Sequence, residues 1–157
     1  MRENRAAALI ISKRHILLIH RFRLENDYFV FPGGSVEEGE TEEAACLREV
    51  REETGLEIAW IAKGFDYLNP DGARMGHYFF IEPHAGELVF SGPELEKRSS
   101  KNRYLHEWVP LAQVGQIDLR PLKVRAALAA VVAENGLRLR AAELAQAAQR
   151  FVELLAG

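Results

Sequence analysis

The stretch from Tyr28 to Gly55 narrows the possible folds more than any other part of this sequence. Tyr28–Phe31 reads as a short aromatic strand, ended by Pro32, Gly33 and Gly34, because proline offers no ladder N–H and glycine tolerates positive φ. A tight loop leads into a helix. Thr41 has the hydroxyl of an N-cap, Glu42 and Glu43 suit the positive helix end, and Ala44 to Glu53 contains neither Gly nor Pro before Gly55 stops it. A strand, a glycine loop and a capped helix in that order point to an α/β domain.

Other segments supply the sheet. Ala7–Ser12 and Ile16–His20, joined by Lys13-Arg14-His15, read as a hairpin. Leu56–Gly64, His77–Ile81, Glu87–Phe90 and His106–Val109 read as further strands, broken by Asn69-Pro70-Asp71-Gly72, Pro83, Gly86 and Gly92-Pro93. Leu122–Asn135 reads as a helix between Pro121 and Gly136, and Leu139–Leu155 as one amphipathic helix with Leu144, Ala148, Phe151 and Leu155 on its stripe. At 157 residues the expectation is a single domain over residues 1–135, extended by a helical segment, 136–157, that packs on it or at a homodimer interface.

Charge and composition remove several function classes. With 20 Lys+Arg against 23 Asp+Glu the net charge is −3, and no basic block offers the electrostatic footprint of a polymeric nucleic-acid binder. The single cysteine, Cys46, makes neither an internal disulfide nor a multi-thiolate zinc site. The apolar runs Ala6–Ile11 and Ile16–Ile19 fall far short of the roughly 18 residues of a membrane span. The sequence therefore reads as that of a soluble, cytoplasmic protein with no membrane partner.

Acidic side chains crowd Glu37–Glu53. At about 100° per residue, Glu49, Glu52 and Glu53 share one helix face while Leu47, Val50 and Thr54 project from roughly the opposite side. Glu49 and Glu53 are like charges at i,i+4, which costs about 0.2–0.5 kcal/mol, and the negative helix end adds to that cost. Arg48 offsets part of it through Glu52, in the weaker orientation for such a pair. Left as a solvated face, the ridge is merely acidic; filled, it calls for a hard cation such as Mg²⁺, which takes oxygen ligands and keeps waters and substrate phosphates in its shell. No Cys/His cluster favours zinc.

The run Gly34-x5-Glu40-x7-Arg48-Glu49-Val50-Arg51-Glu52-Glu53-Thr54-Gly55-Leu56 resembles the Nudix box, meeting every fixed position of that 23-residue pattern. The resemblance implies an α/β/α sandwich with a mixed sheet, here with the extra C-terminal helix. It also implies a Mg²⁺- or Mn²⁺-dependent pyrophosphohydrolase acting on a nucleoside diphosphate linked to another moiety: a nucleoside triphosphate, nucleotide sugar, ADP-ribose or dinucleoside polyphosphate. Glu49, Glu52 and Glu53 would be metal ligands, Arg48 would orient them, the Gly34 carbonyl would complete the shell, and Glu40 would be an outer ligand or a helix–loop brace. The base that takes the attacking water's proton varies in the family; Glu52 is the first candidate here, and Glu94 and Glu96 are the second.

Substrate contacts fall outside the box, where Arg21, Arg23, Phe29, Tyr67, Tyr78, Arg103 and Tyr104 can stack on a base or bind phosphate. Pro70, 14 positions past Leu56, is near the place of a proline associated in the family with ADP-ribose, though Asn-Pro-Asp-Gly is equally a turn. His77, His84 and His106 are too scattered to imply a metal site and read as surface or satisfied histidines. The rival reading is a Nudix-fold sensor or interaction module that binds a nucleotide without cleaving it.

Overall fold

The computed structural model describes residues 3–23, 25–84, 96–98, 103–136 and 139–157, the backbone only at 96–98 and 103. The expected strand Glu87–Phe90 lies outside the described residues, as does Glu94.

The hairpin forms, with β1 over Glu3–Ser12 and β2 over His15–Phe22. Lys13 and Arg14 both take positive φ, 47° and 64°, giving the backbone twist a two-residue hairpin needs. β1 leaves β2 almost at once, because only Ile11 and Ser12 pair with it. From Glu3 to Ile10 its neighbour is β6 (Arg74–Pro83), in parallel, with β5 (Ile58–Leu68) antiparallel outside that. Across β1's other edge lies β4 (Gly33–Ser35), which pairs Arg5 with Ser35, Ala6 with Gly34 and Ala7 with Gly33. The second half of the sheet gathers on β2: β3 (Asp27–Val30) on one side and β8 (Arg103–Pro110) on the other, extended by β9 (Leu119–Arg120) and β7 (Glu96–Arg98).

Strand alternation gives this mixed sheet two faces. Ala6, Ala8 and Ile10 of β1, with Leu17, Phe79 and Ile81, face α1 (Glu42–Thr54) and pack on Ala45, Cys46 and Val50. Leu9, Ile11, Ile16 and Leu18 face the opposite way, against a 3₁₀ helix (Leu111–Gln116), α2 (Leu122–Asn135) and two short helices, α3 (Ala141–Gln146) and α4 (Ala148–Ala156). The result is an α/β/α sandwich.

One element differs from its pattern. The stripe Leu144–Leu155 predicts one helix, yet the chain breaks at Ala147, φ −92° and ψ 11°. The break lets α3 lie over β1, β5 and β6 while α4 turns onto α2 and β5. Leu144 and Phe151 both become fully buried, and Phe151 stacks on Phe65 at 4.8 Å between ring centres. Packing overrides the good helix propensity of alanine here.

His77 is a satisfied core histidine, as the sequence suggests: its ring nitrogens lie 2.8 Å from Asp66 Oδ1 and 3.1 Å from Asn4 Oδ1. Among the described residues no helix is long and apolar enough to cross a membrane.

Candidate active site

The site begins with the ends of α1. Thr41 Oγ1 accepts the Ala44 N–H at 3.1 Å, and Gly55 closes the helix at φ 70° with its N–H on the Arg51 carbonyl. Burying Val50, Cys46 and Ala45 against β1 fixes the helix's rotation, and this turns Glu49 and Glu53 towards the Gly33–Gly34 strand. Cys46 belongs to that seat. Its Sγ lies 3.8 Å from the Ala7 carbonyl, and burial pushes the thiol up to about 12.

Arg48 ties the helix to the loop before it. Its Nε and Nη2 bond the two oxygens of Glu40 at 2.8 and 3.0 Å, its Nη1 bonds Glu49 at 2.8 Å and reaches Glu52 at 3.4 Å, and Nη2 also donates to the Ser35 carbonyl at 3.1 Å. This bidentate grip holds the Glu40 carboxyl down to about 2, and Glu40 in turn accepts the Glu37 N–H. Both Glu40 oxygens are thus engaged by Arg48, which links the helix to the loop before it.

The two glycines are required by close approach. A Cβ on Gly33, whose φ is +155°, would stand 2.1 Å from the Ala6 carbonyl oxygen; one on Gly34 would stand 2.4 Å from the Glu49 carboxyl carbon. Glu49 thus lies across Gly34, and Glu53 Oε2 sits 3.4 Å from the Gly33 N–H. Burial first, and the neighbouring Glu49 charge after it, raise the Glu53 carboxyl to about 7. Glu52, by contrast, is 61% exposed.

This donor set fits a hard divalent cation. Two crowded carboxylates, a third free to swing and a carbonyl on a glycine strand are all oxygen ligands, and the raised Glu53 marks negative charge not yet compensated. Among the described residues no three acidic, imidazole or thiol groups already converge on one point, so ligation would draw Glu52 away from Arg48.

On the opposite side of β1 an open cavity of about 850 Å³ is lined by Arg5, Ala7, Phe31, Tyr67, Tyr78, Asp118, Arg120 and Pro70, among others. Tyr67 and Tyr78, expected to contact substrate, meet here; Tyr78 is held by stacking on Phe65 at 4.9 Å and an edge contact with Phe31. The other candidates lie apart from it. Phe29 stacks on His20 at 4.0 Å, with His20 bonded to Asp27 and Glu107. Arg21 stands opposite Tyr28 and Tyr104 in the ladder, its Nε buried without a hydrogen-bond partner, and Arg23 lies 5.7 Å from the Tyr28 ring. The side chains of Glu96 and Arg103 are outside the described set. Arg5, Asp118 and Arg120 gave no signal in the sequence, because their place depends on the parallel pairings of β1 with β6 and of β9 with β3, which no local pattern encodes.

The NUDIX domain family profile matches residues 1–132. The chain belongs to the Nudix family. A Mycobacterium tuberculosis protein with the provisional name 8-oxo-dGTP diphosphatase 2 is 61% identical over 90 residues, 57% of this chain and 59% of that protein. An ADP-ribose pyrophosphatase of Methanocaldococcus jannaschii is 38% identical over 86 residues, half of each chain. The chain thus spans about half the length of the curated relatives it matches. Among solved structures, the E. coli ORF135 protein superposes with a TM-score of 0.58 at 24% identity, over 88% of this chain and 96% of that one, which supports the Nudix sandwich.

Proposed function

We propose that this Nudix protein is a divalent-metal-dependent pyrophosphohydrolase of a nucleoside diphosphate derivative. The observation that carries the reading is that Glu49 lies across Gly34 and Glu53 faces the Gly33 N–H, with Arg48 bonded to Glu49 and Glu52, one strand away from a cavity lined by aromatic side chains. Glu49, Glu52 and Glu53, with the Gly34 carbonyl, would hold Mg²⁺ or Mn²⁺, and Arg48 keeps Glu49 in place. The ion, when bound, would supply charge neutralisation at the diphosphate and a lower pKa for the attacking water. Glu52, the exposed member, accepts the attacking water's proton, with Glu94 and Glu96 as the alternative source of a base. The cavity takes the nucleoside, Tyr67 and Tyr78 supplying aromatic surface. The names of the relatives support a nucleotide substrate of small size.

The test is phosphate release from nucleoside triphosphates, ADP-ribose, nucleotide sugars and dinucleoside polyphosphates, phosphatase-coupled, with Mg²⁺ or Mn²⁺, beside Glu53→Gln. Metal-dependent release that the substitution abolishes is the expected result. No release from any of them, with nucleotides still raising the melting temperature, would instead identify a sensor.

A further inference from the structure

Four cationic side chains line the cavity: Arg5, Arg74, Arg120 and Lys123. Three are engaged. Arg74 pairs with Glu3 at 3.4 Å, Arg120 forks onto Asp118 at 3.1 and 3.2 Å while covering the Tyr28 ring at 4.3 Å, and Lys123 reaches the carbonyls of Leu155 and Gly157. Among the described residues the Arg5 guanidinium has no hydrogen bond or ion pair.

Its place is specific. Arg5 is the β1 residue paired with Ser35 on one side and Gly76 on the other. Two residues further on, Ala7 pairs with Gly33, whose N–H faces Glu53, and with Tyr78 of the cavity wall. Gly76 lets the Tyr78 ring lie against the strand beside Arg5, since a Cβ there would stand 2.8 Å from Tyr78 Cε1. Arg5 therefore sits at the junction of the carboxylate site and the aromatic cavity.

Among the described residues no carboxylate forms an ion pair with Arg5, which leaves its planar fork open to an anion. In the proposed function, a diphosphate joining the carboxylate site to the cavity would run beside this residue. We infer that Arg5 is a substrate-positioning residue that grips the phosphate attached to the nucleoside, its planar fork taking two oxygens of that group. The cavity end of the substrate is then a nucleoside 5′-phosphate, and the second moiety points away from it. This inference rests on the proposed function for its substrate class.

The experiment is calorimetric titration of the whole chain in EDTA with the four common ribonucleoside 5′-monophosphates and their parent nucleosides, for the native protein, Arg5→Gln and Arg5→Lys. A charge-assisted pair predicts that for at least one base the native protein prefers the monophosphate by about tenfold or more. Arg5→Gln should erase that preference and leave nucleoside affinity unchanged; Arg5→Lys should keep part of it. In turnover assays Arg5→Gln should raise KM far more than it lowers kcat. A preference that survives Arg5→Gln, an equal loss of nucleoside binding, or no preference in the native protein would each overturn the assignment. If Arg5→Gln fails to fold, Arg5→Lys decides between them: full retention of the preference supports a bare charge and overturns the fork. A native protein with the Arg5-dependent preference but no hydrolysis of any diphosphate would sink the proposed function and leave Arg5 in place.

Discussion

Replacing Glu53 by Gln should stabilise the metal-free protein while removing its activity. The native carboxyl titrates near 7 against an ordinary 4.5, because it is buried beside Glu49. A gap of that size corresponds to about 3 kcal/mol. The folded state holds the proton more tightly, so the penalty is absent below pH 4.5, where both states are protonated. It grows as pH rises from 4.5 to 7, since the unfolded chain ionises first, and is complete above 7. Gln keeps the oxygen that faces the Gly33 N–H and cannot ionise. Urea denaturation in EDTA at intervals from pH 4 to 8 should therefore show Glu53→Gln gaining on the native protein as pH rises. The gain should approach about 3 kcal/mol at pH 8, or roughly 6–12 °C in melting temperature for a chain of this size. Glu40 and Asp27, held low by Arg48 and His20, titrate below this window and cancel in the comparison. A difference between the two proteins that stays constant from pH 5 to 8 would refute the reasoning, and with it the idea that this carboxylate awaits a cation.

Three further outcomes can be checked with single variants or labels. Gly34→Ala should displace Glu49 and weaken Mg²⁺ stabilisation in thermal melts while the chain still folds, whereas Gly33→Ala meets backbone at Ala6 and should destabilise the fold outright. Phe151→Ala removes a fully buried ring stacked on Phe65 and tilted against Phe80 and should cost about 3–5 kcal/mol in urea denaturation; a loss under 1 kcal/mol would show that α4 is only loosely docked. Cys46, buried and raised to about 12, should resist iodoacetamide at pH 8 until urea unfolds the chain.

The parts legible in the sequence are those written in local chemistry. Thr41, the unbroken Ala44–Glu53 run and Gly55 specify α1 because capping and propensity act within a few residues, and Lys13-Arg14 marks a hairpin for the same reason. The spacing of Glu49, Glu52 and Glu53 places them together on a helix face whatever the sheet does. Long-range pairing leaves no such trace. That β6 lies parallel to β1, bringing Tyr78 beside Ala7 and Gly76 beside Arg5, depends on a crossover through β4 and α1 that no periodicity reports. The break at Ala147 is equally silent, since neither Gly nor Pro marks it and only the burial of Leu144 and Phe151 on different elements explains it.

The alternation along β1 divides the molecule's duties by parity. Even positions, Ala6, Ala8 and Ile10, seat the helix that carries Glu49, Glu52 and Glu53; odd positions, Arg5 and Ala7, face the cavity. A change of side chain at an odd position can alter the cavity without disturbing the helix's seat. Selection can thus vary the cavity lining along one face of a strand whose other face preserves the seat of the carboxylate helix.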